Sequence, residues 1–294
     1  MFNIEIILQQ LFYGLVLGSN YVLIAAGFSL IWGVVGVLNL SHGEFFMLGA
    51  YASYYVFKYI GGGFFPAIIL SMVFIFFIGI LFEKITIAPL RKRTKLDYEM
   101  STLMMTIGIS IFLQNFVLIV FGPKYKGIPA YFDGIIRLGP IIMSYDRLAI
   151  FIVALILIFL LLFLFKHTRI GLAMRAVSEN PDGAALAGIS INRVLYIAFG
   201  LSTALAAAGG GLLIPIYNAY PTVGANIILL AFSIVIFGGL GSVKGAVYAG
   251  FLVGVLESFT VLYISSSWKD VIVFLTVIVV LTFRPRGLMG LKEA

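Results

Sequence analysis

The chain has 294 residues, 62% of them hydrophobic and 11% charged, with a mean hydropathy of +1.14. An average soluble domain carries roughly 25% charged residues, so a soluble fold is excluded and the bilayer is the solvent to reason with. The formal charge of +7 does not indicate nucleic acid, because the basic residues sit in loops with no aromatic interleaving, and the absence of cysteine removes disulfides, thiolate metal sites and cysteine nucleophiles.

Hydrocarbon satisfies no backbone N–H or C=O, so spanning segments must be helices or a closed barrel, and continuous apolar runs select helices. Each span needs about 20 residues. Apolar runs fall at about Ile6 to Trp32, Phe45 to Tyr59, Phe64 to Phe82, Met100 to Phe121, Leu148 to Phe165, Val194 to Ile216, Ile227 to Phe237, Ala246 to Ile264 and Val271 to Phe283. The expectation is an all-α polytopic membrane protein: one transmembrane domain over residues 1–294, a single bundle of eight or nine transmembrane helices with Gly-interrupted segments. The start, Met1 to Gln10, has no positively charged leader and reads as the approach to a first span that is kept.

Between the first two runs, Trp32-Gly33-Val34-Val35-Gly36 leads through a polar island, Asn39, Ser41, His42 and Glu44. Ionisable groups at membrane depth cost about 2.5 kcal/mol or more, so each is a functional candidate. His42 and Glu44 can be read as a proton relay, or Ser41 as a helix N-cap with Glu44 closing a capping box three residues on. The fourth run is interrupted by Gln114 and Asn115 and the eighth contains Glu257. Residues 122–147 form a polar and aromatic external loop with three prolines, either a docking surface or a plain connector.

The loop from Lys166 to Arg193 is patterned. Thr168 to Val177 alternates basic and apolar residues at helical spacing. A short helix is predicted from Asn180, a good N-cap, with Pro181 at the first helical position, Asp182 at the positive helix end and Gly188 as terminator. Such an amphipathic element lies on a membrane surface or fits a partner's groove. A second Gly-rich interruption, Phe237-Gly238-Gly239-Leu240-Gly241-Ser242, echoes the first. Paired interruptions in the halves of a transporter often mark the substrate path, which makes Asn39, Ser41, His42, Glu44, Gly238, Gly239, Gly241 and Ser242 path candidates; two ordinary turns with glycine packing explain them equally.

Lys84, Arg91, Lys92, Arg93 and Lys95 cluster in one loop, Lys166, Arg169, Arg175 and Arg193 in another, and Arg284, Arg286 and Lys292 near the end. Basic residues are retained inside, so these loops are expected in the cytoplasm, with the N-terminus outside and the C-terminus inside. Catalytic constellations are absent: two histidines make no zinc helix, and Gly241 to Gly245 departs from a phosphate loop around Lys244. The chain reads as a transporter, not an enzyme.

Four motifs then stand in order: Gly33 to Glu44, Thr168 to Pro181, Gly238 to Ala246, and Phe283-Arg284-Pro285-Arg286-Gly287-Leu288. Together they resemble the LivH-type permease of branched-chain amino-acid ABC importers, nearly end to end. The resemblance implies a heteromeric importer in the inner membrane of a bacterium or archaeon. Its other parts are a second related permease, two cytoplasmic ATPase subunits that hold ATP and magnesium, and an extracytoplasmic binding protein; this chain carries no cofactor. It also implies that the helix near Asn180 to Gly188 is a coupling helix, with Thr168, Arg169, Gly171, Arg175, Asn180, Pro181, Asp182 and Gly188 in the ATPase-coupling elbow. Two rivals stay open: the same architecture for urea, amides or other amino acids, and a stand-alone ion-coupled carrier using Glu44, His42 or Glu257.

Overall fold

A computed structural model describes residues 4–61, 63–93 and 98–290. Each of the nine apolar runs forms a helix: α1 (Ile4–Val35), α2 (His42–Ile60), α3 (Phe64–Phe82), α5 (Tyr98–Phe121), α6 (Tyr145–His167), α9 (Ile191–Leu213), α10 (Val223–Gly238), α11 (Val243–Tyr263) and α12 (Lys269–Phe283). Three short helices connect them: α4 (Ala88–Arg93), α7 (Arg169–Glu179) and α8 (Pro181–Leu186). The protein is an all-α polytopic membrane protein. Among the described residues, seven helical stretches are long and apolar enough to cross a bilayer; α2, polar at its start, and α10, with 16 residues, are the two that fall short. Lys95 and Lys292 lie outside the described residues.

The bundle has an inside and an outside. In the apolar windows of α1 and α9, 89% and 83% of residues are buried, against 11% for α5 and α12. In a membrane the hydrophobic effect does not bring helices together, so close approach through small residues does. Gly14 and Gly18 on α1 meet Gly254 and the backbone of Gly250 and Val255 on α11, where a side chain on either partner would run into main chain. Gly49 of α2 fits against Ala207 of α9, and Gly210 of α9 against the Phe46 carbonyl. These glycine seams join α1 to α11 and α2 to α9, and Gly27 of α1 packs on the Ser202 carbonyl of α9.

Three local features differ from the sequence reading. The loop over residues 122–147 folds in part: Ile135–Leu138 (β1) and Ile141–Ser144 (β2) pair antiparallel, with Leu138 opposite Ile141 across Gly139-Pro140. Gly139, at φ +59°, supplies the left-handed turn position. The hairpin is tied to α1 by Gln9, which exchanges two hydrogen bonds of 2.7 Å with the main chain of Ile142. Nearby, Asp146 accepts from the backbone N–H of Tyr131 and Phe132 at 3.0 and 3.1 Å; burial, and next the Asp146 carboxylate, hold the Tyr131 phenol above the ordinary tyrosine range. Beyond α3 the helix continues as a π-helical turn, Glu83–Ile87, into α4, where Pro89 has no N–H to give. Buried Glu83 pairs there with Arg91 at 3.0 Å, and the same guanidinium reaches Asn192 Oδ1 at the start of α9 at 3.4 Å.

Candidate functional site

The first chain break is a re-entrant turn. After α1 ends, the chain doubles back, so that α2 starts beside the middle of α1: His42 Nε2 lies 3.2 Å from the Ile24 carbonyl, and the ring stands 5.6 Å from that of Phe28. Asn39, Ser41, His42 and Glu44 are all fully buried. Asn39 Oδ1 accepts from the Ser41 N–H at 3.1 Å and from its hydroxyl at 2.6 Å, while Thr106 of α5 accepts from the Leu40 N–H at 3.2 Å. Glu44 faces α5, where its Oε1 accepts from Ser110 Oγ and Gln114 Nε2, both at 2.8 Å.

The capping-box expectation is therefore corrected. Ser41 occupies the N-cap but makes no side-chain cap: its backbone is not extended, its N–H is already given to Asn39 Oδ1, and the Glu44 carboxylate is drawn away by two donors on a neighbouring helix. Gln114, a functional candidate as a polar interruption of the fourth span, is a partner of this island; Asn115 instead bonds the Ile111 carbonyl of its own helix. Asn39 Nδ2, His42 Nδ1 and Glu44 Oε2 have no hydrogen-bond partner, so the island holds three unsatisfied polar atoms where native structures hold few. Glu44 Oε2 points at the first turn of α10, where a side chain at Gly224 would come within 2.7 Å of it. Thus the N-termini of α2 and α10, the two passes that fall short of a full apolar span, abut at the polar island.

The second break is built differently. Ser242 caps α11, its Oγ accepting from the Gly245 N–H at 3.1 Å. Gly239 and Gly241 have φ of +102° and +80°, conformations that L side chains rarely adopt, and Gly238 packs against the backbone of Gly245. The terminal motif closes over it, with Leu288 N–H donating to Phe237 O and Met289 N–H to Gly238 O, both at 2.9 Å. The two breaks touch at Gly33, which packs on Gly241. The eight path candidates form two groups: the polar island contacts α1, α5 and α10, while Gly238 to Ser242 contacts Gly33, α11 and the terminal turn. Two cavities, of about 550 and 400 Å³, lie elsewhere, toward the hairpin end of the bundle, and none of the eight lines either.

The Lys166 to Arg193 stretch folds as an elbow. Thr168 caps α7, accepting from the Gly171 N–H at 3.1 Å while its hydroxyl donates to the Leu164 carbonyl at 2.7 Å. Gly171 packs on the backbone of Leu164 and Phe165, so no side chain fits there. Arg175 turns inward: its guanidinium donates to the Phe165 carbonyl and lies over the Phe165 ring. Arg169, by contrast, is exposed at the start of α7. Met174 and Val177 seat α7 in the core. Asn180 Oδ1 then caps α8, accepting from Gly183 N–H at 2.8 Å, Pro181 takes the first helical position, and Asp182 stands in the first turn. Gly188, at φ +81°, ends the turn, as expected. Only Ala184 of α8 is buried; Leu186 is 91% exposed.

A family described as the permease component of the branched-chain amino acid transport system matches residues 10–281. The high-affinity branched-chain amino acid permease protein LivH of Salmonella typhimurium is 33% identical over 97% of this chain and 96% of its own length. Its counterpart BraD of Pseudomonas aeruginosa is 34% identical over the same shares, and a probable LivH of Methanocaldococcus jannaschii is 29% identical over 96% of this chain and 92% of its own. No solved structure gives a significant match.

Proposed function

The chain belongs to the permease family of branched-chain amino acid transport systems, and from that premise we propose that it is one of two membrane-spanning subunits of an ATP-driven importer for leucine, isoleucine and valine. The α7–α8 elbow faces the cytoplasm, the hairpin end faces outward, and the N-terminus is external. Two ATPase subunits, which hold ATP and magnesium, dock at α8; a related permease completes the pathway, and an external binding protein delivers substrate to the hairpin end.

The observation that carries this reading is the elbow. A six-residue helix has no cooperative stability of its own, yet α8 is capped at both ends and presents Pro181, Asp182, Ala185 and Leu186 to solvent while Ala184 alone is buried. An exposed apolar side chain on a rigidly seated, low-relief turn suits a groove in a partner. Thr168, Gly171 and Arg175 brace the elbow against α6, and Asn180 and Gly188 shape α8, so a push on α8 passes to the bundle as a rigid movement. That is what alternating access driven from outside the chain requires.

Affinity purification in mild detergent, with identification of the copurifying chains, tests the reading. The expected result is an ATPase pair and a sister permease, with crosslinks from α8 to the ATPase. Uptake by this chain alone in liposomes under an ion gradient would refute it. Ligand profiling of the copurifying binding protein separates branched-chain amino acids from urea, amides or other amino acids.

A further inference from the structure

Glu257 was legible as an intramembrane carboxylate, and its surroundings give it a setting. Lys269 of α12 pairs with its Oε1 at 2.8 Å and Tyr21 of α1 donates to its Oε2 at 2.6 Å, so both oxygens are satisfied. This buried group forms part of the wall of the 400 Å³ cavity near the hairpin end, and Lys269 also lines the 550 Å³ cavity beside it. Both volumes lie within the range of small-molecule sites, about 300–1,000 Å³.

The smaller cavity has an unbalanced lining. Its cations are Lys269 and Arg147, and its one carboxylate, Glu257, is committed to Lys269. Arg147 stacks on the Tyr13 ring at 4.7 Å, and its guanidinium has no carboxylate partner among the described residues. Asn20, fully buried, spends its amide N–H on the Val16 carbonyl and leaves Oδ1 unpaired. Val16, Leu17, Leu213, Ile216 and Val261 give the wall an aliphatic side, and Gln10, Tyr217, Ser258 and Ser266 complete it. A free guanidinium asks for an oxyanion, an unpaired amide oxygen for an N–H donor, and an aliphatic wall for a branched hydrocarbon.

We propose that this cavity is a transient substrate site within the permease itself, taking an aliphatic α-amino acid. Arg147, with Lys269 beside Glu257, receives the carboxylate; Asn20 Oδ1 receives the ammonium group; and the aliphatic wall receives the side chain. The inference rests on the reading of the chain as an amino-acid importer subunit and deepens it, by placing a selective step downstream of the binding protein. Because Glu257 holds Lys269 in place, the site offers one net positive charge to a ligand whose carboxylate neutralises it.

The test uses the copurified complex in lipid nanodiscs, without binding protein or nucleotide, and radiolabelled L-leucine as probe, alongside leucine uptake by the same complex in proteoliposomes. Competition by L-leucinamide, which lacks the carboxylate, and by 4-methylpentanoate, which lacks the ammonium, reads out the two polar contacts. Leucine binding is expected to weaken about tenfold or more in Arg147→Gln and to recover in part in Arg147→Lys. Wild-type binding should resist leucinamide, and uptake by Arg147→Gln should show a raised KM for delivered leucine. Arg147 is only half-buried at a helix start, so its substitution leaves the bundle intact; a melting curve confirms that. Leucine uptake and leucine-to-leucinamide selectivity that are unchanged in Arg147→Gln overturn this inference alone. A wild-type complex that takes up no branched-chain amino acid overturns the importer reading, and this inference with it.

Discussion

Leu186 offers the most direct perturbation of the elbow. Its side chain is 91% exposed on α8, so shortening it removes almost nothing from the permease's own packing. Leu186→Ala removes three carbons. At about 0.8 kcal/mol per buried CH₂, a leucine seated in an ATPase groove loses roughly 2.4 kcal/mol of docking free energy on truncation, which is a weakening of about 50-fold. Leu186→Asp adds the cost of burying a carboxylate in that groove and should be more severe. The assay has three readouts on one preparation: membrane abundance and melting of the permease, ATPase retained through mild-detergent purification, and ATP-dependent leucine uptake. The first should be unchanged and the other two should fall together, Asp below Ala. Retained ATPase and uptake at wild-type levels in both variants would refute the docking argument, since no other apolar side chain on α8 is as exposed.

Asn180→Ala removes the N-cap of α8, at a cost of about 1 kcal/mol to that turn; it should loosen the elbow, lowering leucine transported per ATP hydrolysed more than it lowers ATPase binding, as measured by paired uptake and phosphate-release assays. Gly254→Val drives a side chain into the Gly18 backbone, in a seam where overpacking costs about 1–3 kcal/mol or more; melting by fluorescence-detected gel filtration should show a clear drop, while valine at Gly108, which has open space around it, should not. Glu44→Gln keeps an acceptor for Ser110 and Gln114 and should retain ATP-driven uptake, whereas Glu44→Leu strands two donors at about 1–3 kcal/mol each and should reduce folded protein in the membrane. Loss of uptake in Glu44→Gln at normal abundance would instead favour a carrier coupled to a proton or ion at this carboxylate.

What the sequence made legible follows from what each signal encodes. The nine apolar runs name the nine long helices because length and continuity are local properties. The cap at Asn180 was readable for the same reason, since Asn180, the short helix and Gly188 lie within two turns; the caps at Thr168 and Ser242 were not read from the sequence, although each directly precedes its helix. Ser41 looked identical to a cap and was not one, since the competitors for its N–H and for Glu44, namely Asn39 in a re-entrant turn and Ser110 and Gln114 on α5, are set by tertiary placement. The partners of Glu257 were hidden in the same way, Tyr21 being 236 residues away. The hairpin did carry a local signal, isoleucine pairs flanking Gly139-Pro140, which the three prolines of the loop obscured. Glycine seams were visible as spacing on α1 and α11, but spacing does not say which helix faces which.

The architecture also explains how a force applied at α8 can reach both chain breaks without a flexible link. Arg175 and Gly171 lock the elbow to the end of α6, and Met174 and Val177 seat it in the core formed by α1 and α9. At the same face, Arg91 joins the buried Glu83 to Asn192, so the end of α3 and the start of α9 move as one. From α9 the contact passes through Gly49 and Gly210 to α2, whose first residues are the polar island, and from α1 through Gly33 to Gly241 at the second break. The glycine contacts on this route are close approaches of main chain, packing that transmits displacement instead of absorbing it, while the links at Arg91 and Arg175 are made by side chains. Along this route buried polar atoms without a hydrogen-bond partner stand at both ends: Glu83 Oε2 and Arg91 Nη1 near the elbow, and Asn39 Nδ2, His42 Nδ1 and Glu44 Oε2 in the polar island, where the first turns of α2 and α10 abut.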